Sequence, residues 1–416
     1  DAGTGTITFA GDAGEIQTIT VNVNDDVLFE ADETFQLSLS GSSSALVDDT
    51  DIAIGTITDN EGVNAILSVT QHGSETGPTS IIYTVTLDKV NNTGSAITFD
   101  LTDAATGSAI SGIDYTAFGG PGIITVANGA TTGQLTVVVS QDLIAEGTET
   151  VDAAISNASD SDVTITGASA AANITDNDST ILTVADVTVN EAAGTMTFSV
   201  IADNAVAGGF TVDYSFTDIE AVLGTDFTDA GTGTLTFAGN AGETQTITVN
   251  INDDALFEAD ETFQLSLTNA SNGLVDETDI AIGTITDNEG ANAILSVSQH
   301  GSETGPTSII YTVTLDKVNN TGSAITFDLA DAGTGSATSG ADYTAFGGAG
   351  VITVANGATT GQLTVVVSDD TITEGTETVD ATLSNASDSD VTITTASATA
   401  NITDDDSTIL TVADVI

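Results

Sequence analysis

Short runs of alternating apolar and polar residues cover most of the chain. In 195–200 and 246–251 every second residue is apolar, which is the period of a β-strand with one buried face. Glycine and asparagine mark the turns between such runs, as at 239–242, and no stretch shows a convincing helical period. The pattern therefore predicts an all-β fold built from antiparallel sandwiches.

The chain is also internally repeated. Residues 1–178 return almost letter for letter at 229–406. The segments 63–104 and 291–332 differ at only three positions, which are Val63/Ala291, Thr70/Ser298 and Thr102/Ala330. Such repetition indicates an array of modules in which each copy of a site serves the same purpose.

Two unlike module types, a longer and a shorter one, alternate along the chain. The predicted domains are the C-terminal half of a module at 1–62, longer modules at 63–178 and 291–406, a shorter module at 179–290, and the first strand of a further module at 407–416. The junctions contain no Pro-rich or Ser-rich spacer, so we expect the modules to abut as a rod. Because half a sandwich exposes an unpaired edge, we expect the ends of the chain to abut more protein of the same kind, with strands donated between chains as the alternative.

Seven strands are expected in the shorter module, at 181–189, 195–202, 210–216, 233–238, 244–252, 262–269 and 279–287. The apolar parity of the last run changes at Gly283, which predicts a bulge or a bend there. If successive strands run up and down, the first, third, fifth and seventh strands end at the same pole. Acidic residues lie just past these four strand ends, so we expect them to converge.

The same acidic arrangement recurs in every copy. One departure is Gln141, which replaces the first acid of the pair found at Asp25, Asp253 and Asp369. The candidate metal ligands are Asp25, Asp26, Glu30, Glu33, Asp59 and Glu61 in 1–62; Glu75, Asp114, Asp142, Glu146, Glu149, Asp176 and Asp178 in 63–178; Glu191, Asp226, Asp253, Asp254, Glu258, Glu261, Asp287 and Glu289 in 179–290; and Glu303, Asp342, Asp369, Asp370, Glu374, Glu377, Asp404, Asp405 and Asp406 in 291–406.

Composition identifies the partner of these acids. The chain has 61 Asp and Glu against two basic residues, Lys89 and Lys317, and its net charge of -59 repels nucleic acid and anionic membranes. Carboxylates gathered without basic side chains repel one another, and oxygen-only ligands favour Ca²⁺, so we expect several Ca²⁺ ions at the module junctions. A salt-adapted surface is the alternative, but it does not explain why the acids cluster at fixed positions. The absence of Cys excludes disulfides and thiolate sites, and no apolar run approaches the roughly 18 residues of a membrane span.

Four sequence motifs carry a family resemblance. They are the early Glu in 189–194, the Gly-x-Asp-aromatic of 224–227, the Asp-Asp-x3-Glu-x2-Glu of 253–261 and the acidic tail at 287–289. On these motifs the modules resemble Calx-beta domains, the calcium-binding sandwiches of sodium/calcium exchangers, integrin beta-4 and many bacterial surface proteins. The resemblance covers three whole modules and the back half of a fourth. It implies seven-stranded, immunoglobulin-like sandwiches.

The resemblance also implies calcium ligands at matching positions, among them Asp254, Glu258, Asp370 and Glu374. The chain departs from the family pattern at Gln141 and at Asn60, Asn177 and Asn288, where the family often has an acid.

Two functions follow from this interpretation. The favoured one is a calcium-rigidified structural region of a secreted, cell-surface adhesin or extracellular filament, acting as a stiff spacer without catalytic activity. The alternative is a calcium-dependent binding module or sensor that recognises a glycan or protein partner. Near-identical repeats favour the spacer, because a receptor usually diversifies its contact loops. A glycosidase would need aromatic platforms, which a chain without Trp lacks, and His72 and His300 are interpreted as exposed turn residues.

Overall fold

The computed structural model describes residues 5–77, 79–118, 120–228, 232–305, 307–346 and 350–413. The chain divides into two compact units, the first comprising Asp1–Thr180 with Asn204–Ala207 and the second Ile181–Asp203 with Gly208–Ile416. Both units are built from β-strands, which confirms the predicted fold class. None of the helical structure in these ranges is long and apolar enough to cross a membrane.

The first unit starts with a stretch that contains little regular structure. Its described residues up to Gly62 form only one antiparallel pair, β1 (Glu33–Ser38) and β2 (Ile52–Ile57). The sequence predicts the back half of a sandwich here, but 5–32 forms no strand, and Ile16 and Val23 are 84% and 58% exposed. This happens because the strand that pairs with 244–251 in the second copy comes from 195–202, which has no counterpart within 5–62.

Two facing sheets follow in the first unit. Their strands, together with the short β9, are β3 (Val63–Gln71), β4 (Gly73–Ser74), β5 (Ile81–Leu87), β6 (Ile97–Asp103), β7 (Gly122–Val126), β8 (Thr132–Val137), β9 (Ile144–Ala145), β10 (Glu149–Ser156), β11 (Val163–Gly167) and β12 (Ser169–Thr175). One sheet has the order β11-β3-β5-β8 and the other β4-β12-β10-β6-β7. Alternating positions supply the core between them, and the hydroxyl of the buried Tyr83 in β5 donates to the Val151 carbonyl in β10 at 2.7 Å. This bond ties the two sheets together.

The first strand of this sandwich changes sheets at His72. Before it, β3 runs parallel to β11; after it, β4 runs parallel to β12. The His72 Nδ1 accepts the backbone N–H of Asn173 at 3.0 Å, and Gly73 is required because a Cβ there would lie 2.7 Å from a Val139 methyl. His72 is therefore an exposed residue that fixes the crossover, and Glu75 follows directly.

The second unit opens with the shorter sandwich. Its strands are β13 (Thr180–Val184), β14 (Val187–Asn190), β15 (Thr195–Ala202), β16 (Ala205–Val206), β17 (Phe210–Asp218), β18 (Phe227–Thr228), β19 (Thr232–Phe237), β20 (Thr244–Ile251), β21 (Phe257–Glu258), β22 (Glu261–Thr268), β23 (Val275–Asp276) and β24 (Ile280–Thr286), and a 3-10 turn spans Glu191–Ala193. The two sheets have the orders β18-β20-β15-β13-β23 and β14-β24-β22-β17-β19. Thr180, the first residue of β13, and β16 belong to the first unit by their contacts, where β16 pairs in parallel with β9.

Two strand predictions for this sandwich are corrected by the structure. The run 181–189 is two strands in different sheets, because the chain crosses over between β13 and β14. No bulge occurs at Gly283, which lies in regular register opposite Phe263. Glycine takes an inward position there because the Phe263 ring fills the space, and a Cβ would lie 2.5 Å from it.

The last sandwich repeats the longer type. Its strands are β25 (Ala291–Gln299), β26 (Gly301–Ser302), β27 (Ile309–Leu315), β28 (Asn319–Asn320), β29 (Ile325–Asp331), β30 (Gly350–Val354), β31 (Thr360–Val365), β32 (Glu377–Ser384), β33 (Val391–Thr395) and β34 (Ser397–Thr403). The sheet orders β31-β27-β25-β33 and β26-β34-β32-β29-β30 match those of the first longer sandwich. Tyr311 again donates across the core, to the Val379 carbonyl at 2.8 Å.

Candidate metal centre

Acidic side chains of the longer modules meet in two adjacent clusters. Each cluster contains three carboxylates, and one oxygen from each lies within 4.8 Å of the others. In 63–178 the clusters are Glu75, Asp142 and Asp178, and Asp114, Glu146 and Glu149; in 291–406 they are Glu303, Asp404 and Asp406, and Asp342, Glu374 and Glu377. The expected convergence of strand ends is thus present in both copies.

The shorter module forms the same pole with slightly different spacing. Glu191, in the 3-10 turn after β14, meets Asp287 and Glu289 at the end of β24, with oxygens within 4.8 Å. The parallel pairing of β14 with β24 is what delivers these acids to one end. Asp226 and Glu261 share a hydrogen bond beside Glu258 and mirror the second cluster of the longer modules.

The loop after the fifth strand is shaped by its own acids. Its second Asp accepts the backbone N–H two residues further on, at 2.8 Å for Asp142 and 2.7 Å for Asp254 and for Asp370. This tight turn presents the next Glu to the pole. The Gly-x-Asp aspartate is also fixed by the backbone, because Asp114, Asp226 and Asp342 accept the N–H of the residue four positions earlier, at 2.5, 2.7 and 2.6 Å.

A single aspartate links each pole to the segment that leaves the module. One oxygen of Asp176 accepts the Glu146 N–H at 3.0 Å, and the other accepts the Asp178 N–H at 3.0 Å. Asp404 does the same with Glu374 and Asp406, at 2.9 and 3.1 Å. These bonds lower the pKa of Asp404, chiefly through the Glu374 N–H, so this carboxylate stays ionised. The acidic loop and the linker are therefore one hydrogen-bonded assembly.

Several oxygens at the poles are buried without a partner. Glu75 and Glu303 are each only 3% exposed, and the Oε2 atom of each has no hydrogen-bond donor. The same is true of Glu191 Oε2, Glu289 Oε2 and Asp406 Oδ2. Buried polar atoms are normally paired, so these oxygens indicate a missing positive group.

The raised pKa values of the buried glutamates at the poles also indicate a site for a cation. Burial raises the pKa of Glu75 to about 7, and the nearby Asp142, Asp176 and Asp178 carboxylates add to the rise. Burial is also the main cause that raises the pKa to about 7 at Glu149, Glu191, Glu261, Glu303 and Glu377. Near neutral pH these groups are therefore partly protonated, and a bound cation would displace their protons. Five clusters of oxygen-only ligands, three of which contain unpaired buried oxygens, fit Ca²⁺.

Not every predicted ligand enters a cluster. In the described part of 1–62 no three acids come together, because this segment lacks the early Glu and the Gly-x-Asp aspartate; Asp25, Asp26, Glu30, Glu33, Asp59 and Glu61 therefore form only a partial pole. Three other acids lie near the clusters, because their charges help to raise the pKa of Glu289 or Asp406; they are Asp253, Asp369 and Asp370. Asp405 is exposed beside Asp406. Gln141 contacts Asp178 and Asn177 at 3.4 and 3.3 Å, so an amide replaces an acid at that pole.

Sequence reasoning missed Asp32 and Asp260. Their Oδ1 atoms accept the backbone N–H groups of Asp59 and Asp287, at 3.1 and 3.3 Å. Their position between the two glutamates of the motif was the available signal.

The chain is similar to a known protein family and to several solved structures. The family model for the Calx-beta domain matches residues 1–61, 67–178, 173–289 and 296–406. The solved structures that are similar include CBD12 from CALX1.2, with 20% identity over 50% of this chain and 80% of that chain and a TM-score of 0.25. Another is the apo form of the Calx CBD1 domain, with 28% identity over 27% of this chain and 99% of that chain and a TM-score of 0.24. No curated protein sequence matches the chain.

The four family matches together span nearly the whole sequence, and the all-β sandwiches carry the acids of the family motif at one pole. The chain therefore belongs to the Calx-beta family.

Proposed function

We propose that the chain is a calcium-rigidified spacer of a secreted cell-surface adhesin or extracellular filament. Calx-beta domains are calcium-binding regulatory modules rather than catalytic domains. The near-identity of the longer modules, which differ at only three positions between 63–104 and 291–332, supports a repeated mechanical role.

The observation that carries the proposal is the Oε2 atom of Glu75 and of Glu303, which is buried without a hydrogen-bond partner. An ionised carboxylate in such a place is costly unless a cation neutralises it. The neighbouring acids supply further oxygens, and only two basic residues exist in the whole chain to compensate them. When bound, Ca²⁺ supplies that positive charge and is coordinated by oxygens from several segments at once.

The protein's own residues turn this binding into stiffness. Asp176 and Asp404 hold both the acidic loop and the linker through backbone N–H groups, so ordering the pole also orders the linker. Asp287 repeats the arrangement with Glu258 and Glu289, at 3.3 Å in both cases. The two clusters in each longer module provide for at least two ions.

Small-angle scattering and isothermal titration calorimetry on the full chain test the proposal. We expect Ca²⁺ binding with a Kd of roughly 10⁻⁴ to 10⁻³ M, together with protease resistance and stiffening that chelation reverses. Mg²⁺ and NaCl at matched ionic strength are the controls, because an effect that came only from charge screening would also appear with these salts. Scattering and thermal unfolding that are identical with Ca²⁺ and with chelator would overturn the proposal.

A further inference from the structure

Each unit contains a phenylalanine that leaves its own module and lies in the core of the next one. Phe257, from the acidic loop of 179–290, is 1% exposed and belongs to the hydrophobic core of 291–402. Phe29 is 1% exposed and belongs in the same way to the core of 63–174. The adjacent Leu256 and Leu28 are 49% and 47% exposed, so the burial is specific to the aromatic side chain.

A preformed backbone turn receives each phenylalanine. β21 pairs in parallel with β28, which places Phe257 opposite Asn319 and Glu258 opposite Asn320. Asn319 is completely buried, and its Nδ2 donates to the carbonyls of Ser323 and Val354 at 2.8 and 3.2 Å. In the first unit the Asn92 N–H donates to the Phe29 carbonyl at 3.1 Å. The receiving surface is thus held by the longer module itself.

The two basic residues of the chain lie at these same junctions. Lys317 lines a groove together with Leu256 and Phe257. Lys317 lies two residues before the buried Asn319, which Phe257 faces. Lys89 lies in the same way two residues before the buried Asn91 in the first unit.

Neither feature is present where a longer module precedes a shorter one. In the longer modules Ala145 and Thr373 replace the phenylalanine, and the shorter module at 179–290 contains no Lys or Arg. Ala145 is buried and its strand β9 also pairs in parallel with β16, so backbone pairing is shared and only the side chains differ. A methyl group buries far less apolar surface than a phenyl ring. The two compact units coincide with this order, since each contains a shorter-type segment followed by a longer module.

We propose that the structural repeat is an ordered pair, a shorter module followed by a longer one, docked by Phe29 or Phe257, and that this docking holds without calcium. The proposal extends the proposed function in one respect, because it places the calcium-dependent flexibility at the boundary after each longer module. Docking itself is independent of calcium binding.

Limited proteolysis of the full chain in EGTA tests this order. A glutamyl endopeptidase that cleaves after Glu and Asp has matched sites in both linkers, at Asp176 and Asp178 and at Asp287 and Glu289. In the wild type we expect cleavage at 176–178 before cleavage at 287–289, so that a fragment containing the shorter module and the longer module after it accumulates. Phe257→Ala should raise the cleavage rate at 287–289 by roughly ten- to 100-fold, since a buried phenyl contributes that much or more. Ile219→Ala, at an equally exposed apolar residue of the same module outside the groove, is the control and should change nothing, whereas Phe257→Leu should restore most of the protection.

Hydrogen exchange of 195–202, a sequence that occurs once in the chain, separates undocking from unfolding of the shorter module. Protection there should be unchanged in Phe257→Ala. Equal wild-type cleavage at both linkers in EGTA, or an unaltered rate at 287–289 in Phe257→Ala, would overturn the ordered pair. If added Ca²⁺ changes the cleavage rate at neither linker, the proposed calcium-dependent stiffening is wrong. The comparison of the two linkers in EGTA still tests the ordered pair.

Discussion

Replacing Glu75 by glutamine should strengthen module 63–178 without calcium and weaken its calcium binding. The carboxyl of Glu75 is 3% exposed, and burial raises its pKa from 4.5 to about 7. Because the folded pKa is the higher one, the folded state holds a proton that the unfolded state releases. Its stabilising contribution is present below pH 4.5 and is lost as the pH rises through about 7.

The magnitude follows from that difference. A rise from 4.5 to about 7 corresponds to about 3 kcal/mol of destabilisation at pH 8. The glutamine amide would be buried without a full set of hydrogen-bond partners, and this cost offsets about 1–2 kcal/mol of the gain. Glu75→Gln should therefore stabilise the calcium-free module by about 1–2 kcal/mol at pH 8 and have no stabilising effect at pH 5. In calcium the variant loses a ligand oxygen, and affinity at that pole should fall by at least roughly ten-fold.

Hydrogen exchange measured by mass spectrometry is the suitable assay. Peptides from 63–71 and 291–299 are distinguishable because they differ at Val63/Ala291 and Thr70/Ser298, so the second copy serves as an internal reference. Exchange of 63–71 in EGTA at pH 8 should slow by roughly ten-fold. Asp162→Asn, an exposed acid of the same module, is the matched control and should have no effect. Faster exchange of 63–71 in Glu75→Gln would show that the carboxylate has a structural role without a cation, and would refute the reasoning.

Three further predictions concern other parts of the molecule. Glu258→Ala or Asp254→Ala should lower the number of Ca²⁺ ions bound by module 179–290 in calorimetry, whereas His300→Ala should not, because His300 accepts the Asn401 N–H in the crossover of another module; equal ion counts in all three would contradict the site. Calcium binding at pH 7 should release protons, since burial holds the pKa of Glu191 and Glu303 at about 7, and titrations in buffers of different ionisation enthalpy will measure this; a heat that does not depend on the buffer would argue against it. Gly283→Ala should cost about 1–3 kcal/mol in denaturant unfolding, because its Cβ would lie 2.5 Å from the Phe263 ring, and an unchanged midpoint would show that the ring has room to move.

The strands and the acidic poles could be predicted from the sequence because both depend on local patterns. Alternation within 195–202 matches β15, whose residues alternate strictly between exposed and buried. The positions of Glu75, Asp142 and Asp178 follow from counting strand ends, and the structure brings these three acids together. Their role as ligands remains a prediction.

Other features depend on partners that a local pattern does not reveal. Ile247 is 2% exposed while Ile19, in the same repeated sequence, is 43% exposed, because only Ile247 has the neighbouring strand β15. The parity change at Gly283 resembles that of a bulge, but its cause is steric, because the Phe263 ring leaves no room for a side chain at this position. The burial of Phe257 in the next module was also hidden, since its neighbours Ala255 and Leu256 read as an ordinary loop.

The acidic poles and the buried phenylalanines together determine how far a calcium signal travels along the array. In a linear array each module interacts only with its neighbours, so cooperativity extends as far as strong interfaces follow one another. We propose that strong and weak junctions alternate, because Phe257 lies at the junction within a pair whereas Ala145 or Thr373 takes its place after a longer module. On this proposal calcium acts where the side chains contribute least. The proposed spacer then gains stiffness in proportion to the number of pairs, without requiring all poles to fill at once.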